Sequence, residues 1–247
     1  MLSITTFRLL MISTASGALL VAAPATAQTD PTDTQSADSA QRATPAQFEA
    51  ARDFVQHLPV PHKVVIPGNH DIPLFDLLSR LFNPYGRYAR AFGPPQDQTL
   101  ELPDCLVLAL NTTRWWRHAD GSLSAAQIAQ AAQRLRAATP DQLRVVAVHQ
   151  PLHVTRAEDH HNLLHGHAQA SRAWADAGVD LVLGGHIQLP FAARLPTRGT
   201  AWAVQAGTAL SARVRAGAPN SVNLLRGPLC DALGQRHCEL ERWDWLP

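Results

Sequence analysis

The run "VVIPGNHDIPLF" at residues 64–75 sets Asn69, His70 and Asp71 in succession behind an apolar stretch and a Pro67-Gly68 turn. An amide, an imidazole and a carboxylate crowded at a strand end are groups that hold a cation or move a proton. Two other apolar runs end in the same way. "LRVVAVHQP" runs into His149, and "VDLVLGGHIQLPF" runs into Gly184, Gly185 and His186. In α/β sheets, ligands bind in the crevice beyond the strand ends. Glycines at 68, 184 and 185 let the backbone turn sharply and a ligand come close. Imidazole nitrogen with amide oxygen suits a borderline divalent ion such as Mn, Fe or Zn better than Ca or Mg. Taken singly, a strand-end His is as readily a hydrogen-bonded structural residue, and Asn after Gly a turn former. The set of three, in this order, is what points to a site.

These residues need a frame. Thr44, Pro45 and Gln47 form a helix-start signature, and Phe48, Ala51, Phe54, Val55 and Leu58 follow as an apolar stripe at helical spacing. Residues 63–66 read as a short buried strand, and 73–92 as a helix broken at Asn83-Pro84. "CLVLALN", "LRVVAVHQP" and "VDLVLGG" are further buried strands. Between them, "SLSAAQIAQAAQRLRAA" predicts a helix from near Ser124, and "NLLHGHAQASRAWADAG" one that stops near Gly178. After Trp202, "WAVQAG", "SVNLL" and "HCELERWDW" predict an antiparallel meander. Strands alternating with helices, then a β-rich end, predict an α/β fold with a mixed sheet or two sheets.

The chain has 247 residues, enough for one sizeable domain with a full core or two small ones. Its 21 Lys and Arg nearly balance its 20 Asp and Glu, so no field draws it to nucleic acid or to an acidic membrane. The 3 cysteines, an odd number, argue against a disulfide framework and a Cys-rich zinc site. Cys230 and Cys238 are open to two readings, a small closed loop in an exported protein or unpaired thiols. Residues 1–27 carry Arg8, an apolar run and Ala25-Thr26-Ala27, the layout of an export leader. Residues 28–43 read as a low-complexity spacer, and 44–247 as the folded domain. A used leader would put the mature chain in the periplasm or outside the cell; otherwise it is cytoplasmic. No segment of the mature chain is suited to spanning a membrane.

"GNHD" (68–71), "AVHQP" (147–151) and "GGHIQ" (184–188) together resemble the ordered motifs of the calcineurin-like metallophosphoesterases. "SARVRAGAPNSVNLL" and "CELERWDW" resemble the C-terminal strands of bacterial members, so the likeness covers about residues 42–245. The resemblance implies a β-sandwich of two sheets flanked by helices. It also implies hydrolysis of a phosphate-ester substrate by two metals bridged by an Asp and a hydroxide. Carried over residue by residue, Asn69, His149 and His186 bind the second metal. His70 is then the non-ligand His that stabilises or protonates the leaving oxygen.

The chain departs from the family at the first metal. There is no Asp-x-His before Asp71, Gln188 replaces the second His of Gly-His-x-His, and the bridging Asp survives at best as Asp38. The resemblance thus implies a weak phosphodiesterase or phosphomonoesterase with a degraded first metal site, holding one divalent ion rather than two. The alternative is a non-catalytic metal- or phosphate-binding remnant of the fold. The fold lacks its usual first strand, which leaves an apolar sheet edge to be covered. His160, His161, His165 and His167 either rim the cleft and meet phosphate or are ordinary loop residues. Trp115, Trp116 and Trp174 read as packing rather than substrate stacking, and Arg114 and Arg117 either meet a phosphate oxygen or belong to a solvated loop.

Overall fold

The computed structural model describes residues 7–14, 17–24, 44–73, 76–117, 119–209, 214–233 and 236–245, with the backbone course alone for the first two segments. Its strands are β1 (Phe7–Thr14), β2 (Gly17–Pro24), β3 (His62–Pro67), β4 (Gln98–Leu102), β5 (Cys105–Ala109) and β6 (Leu143–Ala147). These are followed by β7 (Leu181–Gly184), β8 (Phe191–Arg194), β9 (Trp202–Gln205), β10 (Ser221–Cys230) and β11 (Arg236–Asp244). They form two sheets. One has the order β11-β10-β1-β2-β3 and is antiparallel throughout. The other has the order β4-β5-β6-β7-β9-β8. Within it β5, β6, β7 and β9 run parallel, and β4 and β8 are antiparallel edges.

The helices are α1 (Pro45–His57), α2 (Leu77–Phe82), α3 (Gly86–Phe92), α4 (Ala125–Ala137) and α5 (His167–Asp176). α1 begins at Pro45, as its start signature predicts, and α2 and α3 are separated at Asn83-Pro84. α4 is capped by Ser124, whose Oγ accepts from the Gln127 backbone N–H while the Gln127 side chain reaches back to the Ser124 N–H. Such a reciprocal cap pairs two donors that a helix start leaves open. α5 starts later than its sequence suggests. Residues before Gly166 form a 3-10 turn, Ala157–Asn162, and Gly166 itself sits at φ +92, a conformation that favours glycine.

The parallel strands are covered on both faces, which is why β5 is buried at all five positions. One face carries Leu106, Leu108, Val146 and Val182 into a core with Ile128, Leu135 and Trp174 of α4 and α5. The opposite face carries Val107, Val145, Leu181 and Val204 against Val64 and Ile66 of β3 and Leu225 of β10. Each fully buried aliphatic side chain of this kind stabilises the fold by about 1.5–3 kcal/mol. Trp174 is wholly buried and donates its indole N–H to the Ile128 carbonyl, a packing role as expected.

Three expectations are corrected. "WAVQAG" is not part of a C-terminal meander: β9 lies parallel to β7, and only β10 and β11 pair as the meander predicts. A parallel partner far back in the chain leaves no local sequence signal. Trp115 and Trp116 are not packed, being 38% and 60% exposed against each other in an edge-to-face contact. The apolar sheet edge is not open either. The run that reads as an export leader is placed as the β1–β2 hairpin, with β2 along β3 and β1 along β10. A charge-poor apolar run lowers its free energy by pairing its backbone groups with two otherwise open edges. All three cysteines are unpaired, with Cys105 buried. Asp38 lies outside the described residues.

A chain that starts at Gln28 lacks both central strands of the five-stranded sheet. It is expected to lose the single sharp thermal transition of the full chain and to aggregate, measured by calorimetry and light scattering. A soluble, cooperatively melting truncated chain would show the hairpin to be dispensable.

Candidate metal centre

Strands β6 and β7 end side by side, and their backbones stay cross-linked beyond the strands. Val148 N–H donates to the Leu183 carbonyl at 2.9 Å, and Gly185 N–H to the His149 carbonyl at 2.9 Å. This fixes His149 relative to His186. Asn69 arrives from the other sheet, in a 3-10 turn, Asn69–Asp71, just after β3. Asp71 closes that turn: the Gly68 N–H donates to Asp71 Oδ2 at 2.8 Å. Its carboxyl is buried, and burial holds its pKa well above the usual carboxylate range. Asp71 thus shapes the turn and does not face a ligand through Oδ2.

Three side chains far apart in sequence meet at one point. Asn69 Oδ1 lies 3.0 Å from His149 Nε2 and 3.1 Å from His186 Nδ1. The two imidazole rings stand nearly perpendicular with centroids 5.2 Å apart. Asn69 and His149 are buried. Donors bound to one ion at about 2.1 Å, at angles between octahedral and tetrahedral, sit about 3.0–3.4 Å from each other. The observed separations fit the edges of such a polyhedron. His149 Nδ1 is buried without a hydrogen-bond partner, so the ring's tautomer is not locked from behind. Among the described residues, no group of three or more His, Cys, Asp or Glu is placed to hold an ion. The residues that would hold an ion here are two imidazoles and one amide oxygen.

His186 and Gln188 both have positive φ, +72 and +56, although neither is glycine. A left-handed backbone at such a residue costs about 1–2 kcal/mol and persists only where its surroundings impose it. Gln205 of β9 supplies part of that constraint. It is buried, and its side-chain amide donates to the Gly185 carbonyl. A Cβ at Gly184 would lie 2.5 Å from Gln205 Oε1, so the glycine is needed for the strand to pass this close. Gln205 was not legible as part of the site, because its role depends on β9 lying parallel to β7.

His70 stands near enough to depress the pKa of both His149 and His186. His161 also bears on His186, while Asp120 opposes the shift. His165 Nε2 sits 3.0 Å from Arg117 Nη1, and 3.7 Å from a carboxylate oxygen of Asp120. Arg114 donates to the Asn111 and Thr113 carbonyls and to Gln127, so it braces a loop. Gln150, beside His149, is buried and engaged with Thr112 and the Ala119 carbonyl.

Burial, with neighbouring imidazoles, pushes His186 down to about 4 and His149 well below its usual value. Both rings are therefore neutral at pH 7 and present lone pairs, the form that binds a metal. Protons compete only when the pH approaches the lowered values. Mn(II) affinity, measured by calorimetry, is expected to stay level between about pH 8 and 5 and to fall as the pH nears about 4. A steady loss starting near pH 7 would mean that the imidazoles titrate normally.

The profile of the family described as calcineurin-like phosphoesterase matches residues 38–190. No significant relative is found among curated protein sequences. Among solved structures, the chain is similar to one from Staphylococcus aureus, provisionally designated a 5'-nucleotidase and crystallised in complex with alpha-ketoglutarate. That likeness is at 12% identity and a TM-score of 0.37, and it covers 62% of this chain and 30% of that one. Members of the matched family typically bind divalent metals and act on phosphate esters. The match takes in all three strand-end motifs and more than half of the sequence, and the chain belongs to the calcineurin-like phosphoesterase family.

Proposed function

We propose that the protein is a metal-dependent phosphoesterase of low activity, acting on a phosphodiester or phosphomonoester through a single divalent ion. The observation that carries this reading is the approach of Asn69 Oδ1 to both His149 Nε2 and His186 Nδ1. Those three side chains would hold the ion, of the Mn, Fe or Zn class by donor type. When bound there, such an ion polarises a phosphoryl oxygen and lowers the pKa of a water.

The chain's own residues supply the rest. His70 follows Asn69 in the same turn, which keeps its imidazole beside the centre without making it a ligand. From there it gives a proton to the leaving oxygen, a contribution of about 10²–10⁴ in rate. The Asp71–Gly68 bond and the Gln205–Gly185 bond hold the two loops in position. Gln188 offers an amide where the family has a second His. Among the described residues, no group of three or more His, Cys, Asp or Glu is placed to hold the first ion of the usual pair. Without a second cation, the attacking and leaving oxygens are not clamped together, and each ~1.4 kcal/mol of lost transition-state stabilisation lowers the rate tenfold.

The second reading is a non-catalytic metal- or phosphate-binding protein. Gln188 and the absent Asp-x-His favour it, whereas His70 favours the enzyme. Purified protein is expected to bind about one metal per chain and to hydrolyse a generic phosphodiester orders of magnitude below a two-metal enzyme. Replacing Asn69 by Ala should remove the metal. His70→Ala should keep the metal and lose the residual rate. Two bound metals with ordinary turnover would overturn the one-ion reading, and one bound metal with no turnover at all would select the binding protein.

A further inference from the structure

A cavity of about 280 Å³ shares none of the metal centre's three donor residues. That is just under the roughly 300 Å³ at which pockets for drug-sized ligands begin, room for a group of only a few heavy atoms. His153 enters it from the loop after β6 and His160 from the 3-10 turn Ala157–Asn162. His167, Ser171 and Arg172 enter from one side of α5, and Thr197 from the loop after β8. Adjacent histidines of the 3-10 turn serve different places. His161 bears on His186 at the centre, whereas His160 bears on His153 at the cavity.

Most donors around this cavity have no other partner among the described residues. Thr197 Oγ1 is buried without a hydrogen-bond partner. Ser171 is buried, and neither it nor Arg172 nor His160 forms a side-chain hydrogen bond or ion pair among the described residues. His167 is engaged only through Nδ1, which donates to the Leu164 carbonyl at 3.0 Å and leaves Nε2 available. The Arg172 guanidinium offers donors and no acceptor. No Asp or Glu lines the cavity. The nearby acids face away: Glu158 and Asp159 are bound by Arg215 at 2.8 and 2.9 Å. The histidines are not grouped tightly enough to share a metal. The lining sets apolar side chains (Leu152, Val154, Leu163) beside one guanidinium, two hydroxyls and three imidazoles, a mixture that suits a small acceptor-rich anion.

We propose that this cavity is a second ligand site, distinct from the metal centre, that takes a phosphate group. A phosphate presents several acceptor oxygens, which can meet a guanidinium, two hydroxyls and the imidazole N–H groups together. The group arrives either as inorganic phosphate or as the terminal group of a small phosphomonoester.

The full chain, stripped of metal by a chelator, is titrated with inorganic phosphate and separately with glycerol phosphate, with binding read by calorimetry. Saturable one-to-one binding is expected without metal. Arg172→Ala should weaken it about tenfold or more, as for loss of a charged hydrogen bond. His160→Ala should also weaken it, and Asn69→Ala should leave it unchanged. Arg172 and His160 are exposed, so neither replacement disturbs the core. Tighter binding of the ester identifies an ester site, and equal or weaker binding a free-phosphate site. No saturation in the low millimolar range would overturn the proposal. Binding that survives Arg172→Ala and fails in Asn69→Ala would overturn it too, by moving the phosphate to the metal centre.

Discussion

The parallel pairing of β6 with β7, continued past the strand ends by the Val148–Leu183 and Gly185–His149 backbone bonds, fixes the functional edge of the molecule. Both strands are buried on both faces, so neither can shift register without driving apolar side chains out of one core or the other. The imidazoles of His149 and His186 are thereby held against each other by a frame that cannot relax locally. Asn69 is brought to them only because β3, on the facing sheet, packs Val64 and Ile66 against Val107 and Val145. The centre is thus a seam between two sheets.

Burial at that seam has an electrostatic consequence. Two imidazoles and an amide in a low-dielectric setting favour the neutral rings, because a charge there would be poorly solvated and would face a second imidazole. Asn69 Oδ1, placed between the rings, is a single acceptor facing two nitrogens. Neutral rings around one oxygen form an arrangement ready for a cation. The strained backbone at His186 and Gln188 is consistent with a loop held in place by its supports, Gln205 foremost, rather than by its own preference.

The other sheet has a different logic. Its middle is the β1–β2 hairpin, so β3 and β10 each have a partner, and β3 keeps the position from which the Asn69 turn departs. The same apolar residues have the layout of a leader and the composition of a paired β-hairpin. Both roles reward a short, charge-poor hydrophobic run, which is why composition alone leaves them unresolved.

The sequence by itself determined the parts governed by local rules. The α1 start at Pro45, the break at Asn83-Pro84, the Gly178 stop and the apolar strands ending in Asn69, His149 and His186 all follow from periodicity and turn chemistry. Those three residues are also of metal-ligating types. Tertiary structure alone decided the rest. That Asn69 lies within 3.1 Å of both imidazoles depends on two sheets facing each other. That Gln205 buttresses Gly185 depends on β9 crossing back to lie parallel to β7. The His160 to His167 stretch, a single cluster along the chain, is divided in space: His160 and His167 line the cavity, His161 bears on His186, and His165 meets Arg117. Contacts of this kind join residues tens of positions apart, and no local preference of the backbone records them.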